Sequence, residues 1–394
     1  MILKHFKSSR YPQWSQESVN SFKDGTATIP EPTAIFEEIK GHFKRNIELN
    51  NGKHYDYLTL WQVGTYCFQL FNTYPYVYLN GPSQSGKTKL LTLCSVLSFN
   101  GQLSLHMNPA GIFRMVEGSN CSLFIDEREE LATRVRSSEF RTMLLGGYKK
   151  GATVQRMVRD DDGNFDPEEY AVYSPKMLAN INGIDNVLES RCYTIIMERG
   201  NDPEKTNRDV TIDDPAWQQT RDKLFLFIMK NWKAIRQAYA EITNVANVTG
   251  REWALWKPIF AIAKFFGASA LEDMKALAVA TAEQRRIDSA EEHENILIET
   301  LLRMVTETGY YRLVDIKESF GSYFEGNNFL TEQYIGALLR RFGFTDKRRR
   351  NYGYVYLIDV DRVRRLAQRA GISINGEDSE VSVGSVAASE EEAA

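Results

Sequence analysis

Eight consecutive residues, Gly81-Pro82-Ser83-Gln84-Ser85-Gly86-Lys87-Thr88, fit the pattern G-x-x-x-x-G-K-[S/T]. The two glycines let a backbone wrap closely around phosphate oxygens. The N–H groups from Ser83 to Thr88 then face inward at a helix N-terminus, where the helix dipole favours an anion. Lys87 is placed to reach β- and γ-phosphates, and the Thr88 hydroxyl to ligate Mg2+. Lys89 extends the same cradle into the helix. The apolar run "YVYL" precedes the loop and "KTKLLTLCSVLSF" follows with helical spacing, which is the context such a loop requires. The expected ligands are ATP and Mg2+.

A second apolar run, "LFIDE", ends in Asp126 and Glu127. A strand ending in Asp126 would orient a hydrated Mg2+. Glu127 beside it can polarise water as a general base. A carboxylate pair at a strand end suits hydrolysis better than phosphorylation of a small acceptor. Read alone, "DEREE" is better taken as a solvated acidic turn; behind a phosphate loop it reads as the catalytic strand end.

These residues need a scaffold to bring them together. The strand–loop–helix unit is followed by further strands at α/β spacing, "CSLFIDE", "PKML" and "RCYTIIMER", and the expectation is a largely parallel sheet covered on both faces. "SSEFRTMLLGGYKKG" reads as a helix ending near Gly146, and "ATVQRMVRDDDGNFDPEEYAVYSPKML" as two strands around a D-D-G-N turn. Residues 1–30 are polar and irregular, with Pro30 and Pro32 at a boundary, and two helical patterns follow. From Asp213 to about Gln284 the pattern is helical. From about Glu291, three short helices precede the basic hairpin "FTDKRRRNYGYVYLIDV", the arrangement of a winged helix. The division expected is 1–55 an N-terminal helical and irregular segment, 56–205 nucleotide-binding core, 206–290 helical lid, 291–372 winged helix, and an acidic, disordered tail over 373–394.

Composition excludes several classes. The chain has 394 residues, 43% hydrophobic and 25% charged, at a net charge of −4. A nucleic-acid surface must therefore be local. One candidate lies between Phe329 and Arg369, where ten basic and four acidic residues give about +6. Arg340 and Arg341 end the candidate recognition helix. Lys347, Arg348, Arg349 and Arg350 form the wing, with Tyr352 and Tyr354 to stack or pack. A protein-binding winged helix with a solvated basic face is the other reading. The four cysteines are widely spaced without ligand-like histidines, so they read as reduced core thiols. No run reaches a membrane span, no signal core opens the chain, and a cytoplasmic protein is expected.

The stretch "KMLANINGIDNVLESRC", Lys176 to Cys192, resembles the AAA+ ATPase family. That resemblance implies a polar sensor at the end of the strand, Asn180 with Asn182 as the alternative. It implies an arginine finger at Arg191, just before the next strand, which reaches the nucleotide of a neighbouring subunit. A shared site of that kind implies a homo-oligomer, most simply a hexameric ring. "REWALWKPIFAIAKFFG" resembles the family's helical lid, with Arg251 as a second sensor on phosphate. The hairpin resembles the pre-sensor hairpin of superfamily 3 and minichromosome-maintenance-like helicases, which tracks nucleic acid in the ring pore. Its tip, Asp160 to Asn164, carries the wrong charge for that task. Lys149, Lys150, Arg156 and Arg159 lie lower and are the candidates for facing DNA. The stretch from about 56 to 360 resembles phage, plasmid and genomic-island ATPases with an AAA+ core, such a lid and a C-terminal winged helix. What this implies is an ATP-dependent DNA motor, a replicative helicase or helicase-like initiator, acting on single-stranded or forked DNA with replication partner proteins. Two alternatives stand beside it: a nucleotide-switched DNA-binding or loader ATPase without unwinding, and a protein-remodelling ATPase.

Overall fold

A computed structural model describes residues 14–104, 109–126, 138–159, 165–180, 184, 186–245, 247–288, 291–323 and 331–372. The chain divides into two units, Met1–Glu283 and Gln284–Ala394.

The first unit is built on five parallel strands: β1 (Tyr76–Asn80), β2 (Gly101–Ser104), β3 (Ser122–Asp126), then β6 (Lys176–Asn180) and β7 (Cys192–Ile196). Their spatial order is β2-β3-β6-β1-β7. The register pairs Asn80 with Asn180 and with Ile196, and Asp126 with Ala179. The carboxyl ends of β1, β3, β6 and β7 therefore share one edge of the sheet, where open α/β sheets present ligands. Alternate residues of β1 serve two cores. Val77 and Leu79 join one apolar cluster, whereas Tyr76 and Tyr78 join the other. Burial of both faces is what makes these strands read as unbroken apolar runs.

Helix α1 (Gln16–Lys23) is capped by the Ser15 side chain, which accepts from Ser18 N–H. This corrects the irregular N-terminus expected from its polar composition. α1 presents no buried residue. The segment is held instead by neighbours distant in sequence: Trp14 stacks on Phe225 with centroids 4.5 Å apart, and Ser15 N–H donates to Asp222 at 2.6 Å. Helices α2 (Pro32–Asn46) and α3 (Gly52–Gly64) follow, then α4 (Lys87–Leu97), α5 (Pro109–Ser119) and α6 (Ser138–Gly146). β4 (Thr153–Arg159) and β5 (Phe165–Ala171) form a separate antiparallel ribbon. The short α7 (Asn186–Glu189) leads into β7, and α8 (Pro203–Thr206) follows it.

The helical layer is α9 (Pro215–Glu241), α10 (Gly250–Phe266) and α11 (Ala268–Asp288). Trp256 of α10 is buried against Tyr57 of α3 and Tyr193 of β7, with centroids 5.3 and 5.4 Å away. Tyr57 and Tyr193 stack at 3.7 Å. The helical layer, the N-terminal helices and the sheet thus share one core, and the architecture is a five-stranded parallel α/β sheet flanked by helices, consistent with a P-loop core.

The second unit runs α12 (Glu291–Met304), β8 (Gly309–Arg312), α13 (Leu313–Gly321), α14 (Glu332–Arg341), β9 (Lys347–Arg350), β10 (Gly353–Ile358) and α15 (Val360–Ala370). The three strands form a sheet in the order β8-β10-β9. Leu297, Ile316, Ile335, Leu339 and Tyr356 are buried in its core. This is a winged helix. The expected acidic tail, 373–394, lies outside the described residues.

Candidate nucleotide site

The loop between β1 and α4 is fixed by backbone conformations that few side chains tolerate. Gly81 has φ of +152°, and a Cβ there would stand 2.1 Å from the Met197 carbonyl oxygen. Met197 N–H in turn donates to Asn80 O at 2.6 Å, so the strand ends of β1 and β7 are locked at that point. Gln84 adopts φ of +65°, and Gly86, at +85°, precedes the first residue of α4. The result is a tight turn that aims the first N–H groups of α4 at one small volume.

Lys87 turns back into this loop. Its ammonium donates to the carbonyls of Gly81 and Pro82, both at 2.6 Å, and approaches the Ser85 hydroxyl at 3.4 Å. Burial lowers its pKa, with nearby Asp126 opposing the shift. Thr88 Oγ1 donates to Asp126 Oδ2 at 2.6 Å. Two residues expected to ligate Mg2+ are thereby brought side by side across 38 residues of sequence. Ser85, Lys87 and Asp126 are all buried. The donor set fits a triphosphate with a divalent cation: a lysine cation inside a loop that opens a helix, a hydroxyl and a carboxylate in contact, and a glycine where a side chain cannot fit. Lys89 points elsewhere, donating to Lys205 O at 2.5 Å. Burial also lowers its pKa.

Asn180 ends β6 directly opposite Asn80, on the same sheet edge as the loop. Glu127 and Asn182 lie outside the described residues. One neighbour of the loop was missed by sequence reasoning. Arg199 Nε donates to Ser83 O at 3.3 Å, yet no motif marks that position.

Arg191 and Arg251 are placed together, at the other edge. Arg191 precedes β7, and its carbonyl accepts from Tyr76 N–H at the start of β1. With β1 and β7 parallel and in register over five residue pairs, that edge is a strand's length from the loop, roughly 15 Å. The Arg191 guanidinium donates to Leu145 O at 2.8 Å and to Val187 O, and stands over the Tyr148 ring. Arg251 donates to the Ser190 hydroxyl at 2.5 Å. Burial, then the charge of Arg251, lowers the Arg191 pKa. Neither arginine is brought to the phosphate loop of its own chain.

The hairpin springs from that far edge too. Lys149 bridges to Thr73, and Lys150 donates to Gln69 O at 2.7 Å, so both lysines anchor the ribbon's base. Arg156 lies opposite Glu168, and Gln155 donates to Glu169 at 2.9 Å. The acidic tip, Asp160 to Asn164, lies outside the described residues, as does the Arg159 side chain.

In the winged helix, Arg341 pairs with Glu294 at 2.8 Å and Arg340 approaches the Tyr356 hydroxyl at 3.4 Å. All four residues of β9, Lys347 to Arg350, are exposed. Lys347 stands 3.6 Å from the Tyr354 ring centroid, and Arg348 4.5 Å from that of Tyr310.

No group of three or more His, Cys, Asp or Glu side chains that could hold a metal ion is found among the described residues, and no helix among them is long and apolar enough to cross a membrane. No model of a known protein family matches this chain, and no curated protein matches it. Among solved structures, one described as SCCmec type IV Cch, an active helicase, aligns at 12% identity, covering 93% of this chain and 75% of its own, with a TM-score of 0.41. The apo A form of the NrS-1 C-terminal region aligns at 12% identity, over 84% of this chain and 76% of its own, with a TM-score of 0.37. Drosophila ORC bound to DNA aligns at 11% identity, over 89% and 99%, with a TM-score of 0.20. Similarity at this level does not bear on function.

Proposed function

We propose that this chain binds and hydrolyses ATP at the loop between β1 and α4 and couples hydrolysis to DNA. The contact between Thr88 and Asp126 carries the reading. A hydroxyl and a carboxylate held together beside an inward-facing lysine form a divalent-cation seat next to a phosphate cradle. The backbone N–H groups of Ser83 to Thr88 and the Lys87 ammonium hold the triphosphate, and Thr88 and Asp126 hold Mg2+. When bound, that cation draws charge from the phosphate oxygens. Glu127, next after Asp126, takes a proton from the attacking water. Asn180 senses the terminal phosphate from the end of β6.

Arg191 and Arg251 stand a strand's length from their own loop, so a phosphate contact from this position is with a second copy's nucleotide. A contact of that kind requires a homo-oligomer, with a hexameric ring as the simplest closed form, and requires the Arg191 guanidinium to leave the Leu145 and Val187 carbonyls it holds. The winged helix supplies the DNA contact through its exposed β9 cations, and the reading is a helicase or helicase-like initiator of a phage, plasmid or genomic island.

A second reading, a nucleotide-switched loader without unwinding activity, is favoured by the hairpin. Between Thr153 and Ala171 two arginines face six acidic residues in sequence, and Arg156 is set across from Glu168. A ribbon of that charge repels a phosphate backbone. The two readings separate in one experiment. A Glu127→Gln variant should retain ATP binding and lose turnover. Forked-DNA unwinding should be present in the parent and disappear with it. DNA-stimulated turnover without strand separation by the parent supports the loader, and strand separation that survives loss of hydrolysis excludes the motor.

A further inference from the structure

The small sheet of the winged helix has two faces of different character. Cross-strand pairing puts Tyr356 with Tyr311 and Lys347 on one face, and Tyr356 is buried in the core. Val355 pairs with Arg312 and with Arg348 on the other face, and Leu357 pairs with Tyr310 there. Arg350, two residues beyond Arg348, shares that second face. Tyr352, in the β9–β10 turn, is drawn to it by the Arg312 guanidinium, 5.7 Å from the ring centroid.

Among the described residues, every exposed large aromatic side chain belongs to this one sheet: Tyr310, Tyr352 and Tyr354, at 36%, 58% and 39% exposure. Two of the three are on the outer face, interleaved with three arginines. Arg348 lies over Tyr310, and Tyr310 donates to Asp346 at 2.6 Å. The carboxylates near this face leave its charge positive. Asp346 stands 3.5 Å from Arg348, and Asp315 stands 3.7 Å from Arg312. Both pairs are solvent-exposed and weak. Val355 is buried on this face, although it stands apart from the apolar cluster on the sheet's inner side. Its cross-strand partners, Arg312 and Arg348, flank it with long aliphatic stems of the kind that pack over an apolar residue while the charged head stays in water.

Helix α14, the element that would enter a duplex groove, is poorly equipped by comparison. It has 10 residues, its exposed first turn carries Glu332, and Arg341 is paired with Glu294.

We infer that the outer face of the β8-β10-β9 sheet is a platform for single-stranded DNA, with Tyr310 and Tyr352 stacking on bases and Arg312, Arg348 and Arg350 taking phosphates. This rests on the reading of the chain as DNA-associated and names the form of DNA it takes. Rings interleaved with cations suit unpaired bases, because every base has a face to stack and a duplex hides it.

The test uses the full chain and fluorescence anisotropy. One probe is a labelled oligo-dT of about 20 nucleotides, long enough to cover a site of this kind. The other is a duplex of equal length. Tyr310→Leu combined with Tyr352→Leu keeps every charge. It should weaken oligo-dT binding roughly tenfold or more and change duplex binding less than about twofold. Tyr310→Phe with Tyr352→Phe should restore oligo-dT affinity, which separates stacking from the hydroxyls and from misfolding. Unchanged oligo-dT binding by the leucine variant, or equal loss on both DNAs, overturns the platform while leaving a DNA-binding chain. A parent that binds neither DNA overturns the functional reading beneath it.

Discussion

The Thr88 hydroxyl donates to Asp126 Oδ2 at 2.6 Å, joining the first turn of α4 to the last residue of β3. The bond holds together the two residues proposed to take Mg2+. Thr88→Ser keeps the hydroxyl and should keep Mg2+-dependent ATP affinity. Thr88→Val is close in shape and leaves the Asp126 carboxylate without its donor. It also removes the hydroxyl proposed to ligate the cation, and affinity for ATP in the presence of Mg2+ should fall roughly tenfold or more. Isothermal titration with and without Mg2+ reads the difference, and affinity in its absence should change little.

Gly81 is the position where the cradle tolerates no side chain. Gly81→Ala places a Cβ 2.1 Å from a backbone oxygen, at φ of +152°. The expected cost is about 2 kcal/mol or more. Urea denaturation should show a lower midpoint with an unchanged slope. Gly118→Ala, at a helical position with open space around it, is the control and should be neutral or stabilising by up to about 1 kcal/mol.

The phosphate loop, the paired strand and the alternation of strands and helices were legible because each depends on local rules. Positive φ calls for Gly81 and Gly86, and a strand buried on both faces shows as an apolar run. What escaped depends on partners far away in sequence. Residues 14–23 look polar and irregular, and their order comes from Trp14 against Phe225 and Ser15 on Asp222. The edge on which Arg251 stands is fixed by how α10 packs on α3 and β7 through Trp256, and no spacing within α10 reveals that. Helix α15 did leave a signal: Asp359 caps its start and Gly371 ends it at φ of +70°. The arginine-rich composition between those residues masked the apolar stripe of Val363 and Ala367.

Lys176 opens β6 and is fully buried. Its ammonium donates to the carbonyls of Gly147, Val172 and Ser174 and to the Ser174 hydroxyl, at 2.9 to 3.3 Å. It thus pins both stems of the hairpin to the sheet. Burial pushes its pKa down to about 7, with Cys121 opposing the shift. The unfolded chain holds this proton up to about pH 10.4, so between about 7 and that value the unfolded state binds more protons than the folded one. Stability should therefore rise with pH across that window. Comparison with Lys176→Met in urea titrations at pH 7, 8 and 9 isolates this group, and the parent should gain on the variant at each step.

The exposed strand β9 and the paired end of α14 should differ in their share of DNA binding. Arg349→Ala with Arg350→Ala removes two exposed cations. The slope of log affinity against log salt for oligo-dT should become shallower by about 0.7 for each phosphate that is no longer neutralised. Arg341→Ala, whose guanidinium is already paired with Glu294, should leave the slope nearly unchanged. Anisotropy titrations at four salt concentrations measure both.

The decisive measurement for ATP hydrolysis at the loop between β1 and α4 is phosphate release by the full chain, with and without single-stranded DNA, beside a Lys87→Ala variant. Mg2+-dependent turnover is expected in the parent, accelerated by DNA. Lys87→Ala should reduce it by two orders of magnitude or so, the loss expected when a transition-state interaction of ~3 kcal/mol is removed. Turnover unaffected by Lys87→Ala, or a parent that neither binds nor hydrolyses ATP, would show that the loop is not the site of hydrolysis.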